Sequence, residues 1–102
     1  MDVSFVIPCY GCRQTVGFTL KGIMNQKTKR SFEILLIDSS PRGIKEWIRS
    51  VYPQVRVVSV ESRLGAGPAR NLGARKASGE YLAFVDADVA PDSDWLERLL
   101  ER

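Results

Sequence analysis

Histidine is absent from the 102 residues. That removes Ser-His and Cys-His catalysis and any imidazole metal site from the chain. Cysteine is scarce. Cys9 and Cys12 are the only two, too few for the disulfide framework of a small secreted domain. No run approaches the ~18 apolar residues of a membrane span, and Met1-Asp2 lacks the basic start of a signal peptide. The expectation is a cytoplasmic protein with reduced, dispensable thiols, placed at the inner membrane face if a longer form carries a membrane segment. Charge excess is small: 15 basic and 12 acidic residues leave a net +3. Such a balance fits an anionic small ligand and does not call for nucleic acid. No low-complexity stretch, linker or internal repeat divides the chain. What is present is a 44% apolar composition, enough for one packed domain over residues 1–102.

The apolar residues fall into alternating strand and helix patterns. Val3 to Pro8 reads as a first strand, closed by a proline that cannot continue a central ladder. Val16, Leu20, Ile23 and Met24 share one face of a helix expected from about Arg13 to Gln26. Gly17 and Gly22 weaken that helix unless close packing on the sheet requires them. Phe32 to Asp38 is a second strand. Ile44, Trp47, Ile48 and Val51 mark a second helix, stopped by Tyr52-Pro53. Val55 to Val60 is a third strand, polar enough for a sheet edge. A helix from Ala69 to Lys76 presents the small residues Ala69, Gly73 and Ala77 with Leu72. Tyr81 to Ala87 reads as a strand buried on both faces. A last helix is expected from Asp92 or Ser93, either of which can cap it, with Asp94 at its positive end. The β-α alternation implies an α/β fold with a parallel sheet of order 3-2-1-4 and right-handed crossovers.

In open α/β sheets, ligands bind beyond the carboxyl ends of the strands, where the order reverses. Pro8 and Tyr10, Asp38, and Asp86 with Asp88 all fall on that edge. Two nearby carboxylates repel unless a cation or a donor-rich ligand lies between them. Oxygen ligands of this kind suit Mg²⁺ or Mn²⁺ shared with substrate phosphates, and an aspartate ending a strand also serves simply as a turn residue. Gly65-x-Gly67 before a helix either cradles a phosphate with its N–H groups or makes a tight turn. It lacks the third glycine of a dinucleotide fingerprint and the lysine of a P-loop. Arg70 can pair with a pyrophosphate bidentately or bridge to a surface carboxylate. Cys9-x-x-Cys12 between a strand and a helix has the placement of a thioredoxin-type pair, although the alternation of strand and helix to the end argues against that fold.

Four stretches together resemble glycosyltransferase family 2: Val3 to Tyr10; Glu33 to Asp38; Gly65-x-Gly67-x-Ala69-Arg70-Asn71-x-Gly73; and Ala77 to Asp88. The resemblance covers nearly the whole chain. It implies a GT-A fold, truncated relative to a full GT-A domain, and a donor site for a nucleotide-diphospho-sugar. It also implies that Asp38 and Asp86 help hold the nucleoside, that Pro8 and Tyr10 line the base pocket, that Gly65 and Arg70 lie at the nucleotide, and that Asp88, beside Asp86, ligates a divalent Mn²⁺ or Mg²⁺. The implied reaction is transfer of the sugar to an acceptor hydroxyl with inversion. The family's first turn usually carries Thr and Asn where Cys9 and Gly11 stand, and a second acid where Ser39 stands. The acceptor site and the general base belong to the family's later half, so the base is expected outside these residues and the chain alone is expected to transfer little sugar. A sheet edge left open beside the fourth strand makes a homodimer the expected assembly. The other readings are a non-catalytic nucleotide-binding domain and a CxxC thiol oxidoreductase.

Overall fold

The computed structural model describes residues 1–101. Its elements alternate as expected: β1 (Val3–Cys9), α1 (Val16–Met24), β2 (Phe32–Asp38), α2 (Lys45–Val51), β3 (Val55–Ser59), α3 (Ala66–Lys76), β4 (Tyr81–Phe84) and α4 (Trp95–Leu100). The sheet has the order β3-β2-β1-β4, and every pairing is parallel. The hairpin of a thioredoxin-like sheet is therefore absent among the described residues. No described helix is long and apolar enough to cross a membrane.

Alternation along β1 and β2 sorts the core into two layers. Val3, Phe5 and Ile7 join Ile34 and Leu36 with Val16, Leu20 and Ile23 of α1 and Leu96 of α4. The opposite face buries Val6, Leu35, Ile37 and Ala69. The second layer is thin because its helix lies close. A Cβ added at Gly73 would collide with the side chain of Val6. Contrary to expectation, Gly22 and Gly17 do not pack on the sheet: an added Cβ at Gly22 would meet Pro91, in the loop before Trp95, at 2.9 Å, and one at Gly17 the Tyr52 hydroxyl at 3.2 Å.

The fourth strand departs from expectation. Only Ala83 within it is buried, and Tyr81, Leu82 and Phe84 are exposed, so β4, at the edge where the expected order puts it, is not covered on both faces. It also ends early, at Phe84, and the reason lies in β1. Val6 accepts the Val85 N–H at 3.1 Å, so the backbone groups of Val6 point toward β4. Two residues on, those of Pro8 point the same way, and Pro8 has no N–H to give. The β4 ladder stops there, while β1 itself continues to Cys9, where it pairs with Asp38 of β2. The chain after Val85 is thereby released into the loop that carries Asp86 and Asp88.

A polar clasp closes the other end of the sheet. Ser4 Oγ donates to Glu33 Oε2 at 2.6 Å, the Ser78 N–H donates to the same oxygen at 2.6 Å, and the Gly79 N–H donates to Ser4 Oγ at 2.7 Å. A Cβ at Gly79 would lie 2.5 Å from the Ser4 nitrogen, so a larger residue would push the clasp apart. Burial raises the Glu33 carboxyl, but the bonds from Ser4 and Ser78, with the charges of Arg56 and the N-terminus, outweigh it and hold the group below its ordinary value. A depressed folded-state pKa stabilises the fold above the unfolded value of about 4.3 and loses that contribution as pH falls through the folded value. Glu33→Gln is therefore expected to unfold at lower denaturant than the parent at pH 6, with the gap closing in acid. A gap that stays constant down to pH 3 would show that the carboxylate charge contributes nothing.

Candidate functional site

The carboxyl ends of the parallel strands carry two clefts. The first, of about 440 Å³, is lined by Pro8, Tyr10, Gly65, Asp86 and Asp88, together with the Cys9–Cys12 turn and Arg63. The second, of about 430 Å³, lies at the ends of β2 and β3 and is bordered by Asp38, Ser40, Pro41 and Glu61. Five of the residues singled out from the sequence thus meet in one cleft, and Asp38 borders the other.

Each is positioned by backbone that its own sequence dictates. The turn after β1 passes through Gly11 at φ 64°, a left-handed conformation that glycine and asparagine both tolerate. This accounts for glycine where the resembling family usually carries Asn. The Gly11 N–H donates to Ser40 Oγ at 2.8 Å and the Ser39 N–H to the Cys9 carbonyl at 3.0 Å, so the first turn rests on the loop after β2. Tyr10 projects from this turn, 45% exposed. The guanidinium of Arg63 lies 4.3 Å from its ring centroid.

The thiols are not free. Cys9 and Cys12 form a disulfide, with Cα atoms 5.5 Å apart, and this corrects the expectation of reduced cysteines. The turn between them, with Gly11 in the left-handed region, leaves them in bridging range, and the Val16 N–H donates to the Cys12 carbonyl at 2.8 Å as α1 begins. The helix starts at Val16, and Arg13 to Thr15 belong to the turn.

Asp38 is 2% exposed. Its Oδ1 accepts the Ser40 N–H and its Oδ2 the Ile44 N–H, each at 3.0 Å. The carboxylate therefore shapes its own loop and organises the entry to α2. Each oxygen keeps a second lone pair that a ligand donor could use. Arg70 meets Asp86 at 3.3 Å, and the two border a smaller cavity with Phe84 and Trp95 on the far side of Asp86. The α3 helix carrying Arg70 begins at Ala66, earlier than the sequence suggested, with Gly65 in extended conformation at its cap. Pro68 falls in its first turn, where a missing N–H costs no helical bond.

Asp88 is exposed and has no hydrogen-bond or ion-pair partner among the described residues. No group of three acidic or cysteine side chains that could hold a metal occurs among them either. Two carboxylates on an open cleft suit a cation that completes its shell with water and ligand phosphates, as Mg²⁺-like ions do. They do not make a protein-walled cage. Arg63 was missed as a candidate. Its signal was available in the sequence, a cation two residues before Gly65, but only the fold turns it toward Tyr10.

A parallel 3-2-1-4 sheet with acids, an aromatic and a glycine turn around a cleft at its switch point defines an α/β domain of the doubly wound kind. The glycosyl transferase family 2 model matches residues 4–102, and the chain belongs to that family. Glycosyltransferase AglE of Haloferax volcanii is 34% identical over 94% of the chain, which spans 33% of that relative. The structure of S. aureus TarS with UDP superposes with a TM-score of 0.86 at 24% identity, over 99% of this chain and 31% of that one. The mannosyltransferase PcManGT of Pyrobaculum calidifontis, in complex with GDP-Man and Mn²⁺, gives 0.71 at 28% identity, over 85% of this chain and 27% of that one. The chain thus spans 27–33% of these three matched chains, the TarS one being residues 1–349 of that protein.

Proposed function

We propose that the chain is the donor-binding part of an inverting glycosyltransferase and that the two clefts receive a nucleotide-diphospho-sugar. The observation that carries this reading is the convergence of Asp86, Asp88, Tyr10, Pro8 and Gly65 on the first cleft. The nucleoside lies along the Tyr10 turn toward Asp38, whose buried carboxylate is rigid enough to accept a base or ribose donor. The diphosphate lies toward the 85–89 loop. Asp88, with Asp86, would hold Mn²⁺ or Mg²⁺, an ion that supplies charge neutralisation to a departing diphosphate.

The chain's own residues bind and orient. Arg70 fixes the Asp86 carboxylate, and the Cys9–Cys12 turn presents the Tyr10 ring. The sugar goes to an acceptor hydroxyl that attacks the anomeric carbon from the opposite side, and the base that takes the hydroxyl proton lies outside these residues. The exposed β4 edge, with Leu82 and Phe84 beside it, is where a second copy would pair.

Calorimetry with UDP, GDP, CDP and ADP, each with and without Mn²⁺, tests the reading. One diphosphate is expected to bind in the micromolar range, more tightly with the metal. Failure of all four to bind would sink it.

A further inference from the structure

We infer that Arg63 is a specificity-determining residue of the donor site, which leaves the Tyr10 ring to take the diphosphate; the inference rests on the donor-site reading above. Three observations lead to it. Among the described residues, Arg63 is the only cationic side chain lining the cleft that holds Asp86 and Asp88. Arg70, the other arginine near these acids, is already committed to Asp86 at 3.3 Å. Arg63 itself is exposed and makes no ion pair among the described residues. Its guanidinium rests only on the Tyr10 ring, 4.3 Å from the centroid.

A cation–π contact at an exposed site is weak. A planar guanidinium meeting phosphate oxygens forms paired, charge-assisted bonds that are much stronger. The ring face that Arg63 covers is also a flat aromatic surface on which a nucleobase would stack. Base and guanidinium therefore compete for Tyr10, whereas phosphate and guanidinium attract. A nucleoside must displace Arg63 without return, and a nucleoside diphosphate displaces it into a better partnership. Arg63 thus discriminates for the diphosphate and against the bare nucleoside, in addition to whatever the metal contributes.

The two halves of the ligand separate the effects. Whichever of UDP, GDP, CDP and ADP the wild-type protein binds, and its nucleoside, are titrated into the wild-type protein and into Arg63→Ala and Arg63→Lys with saturating Mn²⁺, with circular dichroism as a check on folding. Arg63→Ala is expected to weaken the diphosphate at least about tenfold, the scale of one charge-assisted bond, while the nucleoside binds equally or more tightly. Arg63→Lys, which keeps the charge without the planar fork, is expected to fall between. Unchanged diphosphate affinity in Arg63→Ala, or equal losses for nucleoside and diphosphate, overturns this inference alone. A wild-type protein that binds none of the four diphosphates overturns the donor-site reading together with it.

Discussion

Replacing Asp88 with alanine is expected to abolish the metal-dependent part of UDP binding, a loss on the order of 100-fold or more, given that even supporting residues around metals cost 10–100-fold when removed. The fold should be untouched. Asp88 is exposed, and no described residue bonds to it, so its truncation belongs with surface changes that stay within about ±0.5 kcal/mol. The metal-free experiment carries the opposite sign. Without a cation, the Asp88 carboxylate repels an approaching diphosphate, so the variant is expected to bind UDP as well as or better than the parent once Mn²⁺ is chelated. Asp88→Asn keeps the shape and removes the charge, and it should follow alanine in both conditions. Asp86 makes a less clean probe because its removal also frees Arg70. If Asp88→Ala leaves the difference between Mn²⁺ and chelator unchanged, the residue is not a ligand.

The element order, the parallel sheet and its 3-2-1-4 order were legible in the sequence because they rest on periodicity and alternation, which are local. The glycine readings were legible in part. Glycine is costly in a helix, and a cost retained in a sequence points to close packing. Gly73 packs on the sheet at Val6 as expected, but Gly22 packs on Pro91 and Gly17 faces the Tyr52 hydroxyl, neither on the sheet. What was not legible depends on partners distant in the chain. The edge position of β4 was legible from the expected order, but its apolar run reads as covered on both faces, and whether it is depends on what packs there in space. Among its residues only Ala83 is buried. The early end of that strand follows from Pro8, which lies some 75 positions earlier by the numbering.

The site divides in the same way. Asp86 and Asp88 could be placed on the switch-point edge from their position after a strand. The self-contained bonding of Asp38 could not, since it needs the loop geometry that brings the Ser40 and Ile44 N–H groups back onto the carboxylate. The Cys9–Cys12 disulfide likewise depends on a turn conformation that spacing alone does not specify. The start of α4 shows the limit of capping rules. Asp92 and Ser93 are good cap residues by type, yet the helix begins at Trp95 with Asp94 as its N-cap, and no side chain of its own takes the free N–H groups.

That duty falls to Gln26, and Gln26→Leu is expected to be among the most damaging single changes in the chain. Gln26 is 8% exposed at the end of α1. Its Oε1 accepts the Leu96 N–H at 2.9 Å, and its Nε2 donates to the Gly22 carbonyl at 3.0 Å and to the Asp92 carbonyl. With the Lys27 N–H donating to the Ser93 carbonyl at 2.7 Å and Pro91 seated on Gly22, this amide fastens the far end of the loop that carries Asp86 and Asp88. Leucine fills the space but leaves the Leu96 N–H and the Gly22 carbonyl without this partner, at about 1–3 kcal/mol for each such group, while the Asp92 carbonyl keeps the Trp95 N–H at 3.0 Å. A net loss of about 2–4 kcal/mol is expected, a large share of the ~5–15 kcal/mol that holds a domain together. At about 4–8 °C per kcal/mol for a domain of this size, the melting temperature should fall by roughly 10 °C or more. Gln26→Glu sharpens the test. At neutral pH its carboxylate retains the bond from Leu96 but turns an acceptor toward two carbonyls, so it too should be destabilised. Acid should restore part of that loss, because a protonated carboxyl can again donate. The functional consequence follows from the loop's two anchors. Below the melting transition, Gln26→Leu should weaken Mn²⁺-dependent UDP binding while leaving uridine binding unchanged, because the Tyr10 turn is held by Ser40 and not by α4. A melting temperature within 2 °C of the parent, or equal losses for UDP and uridine, would show that this amide neither holds α4 nor positions the acidic loop.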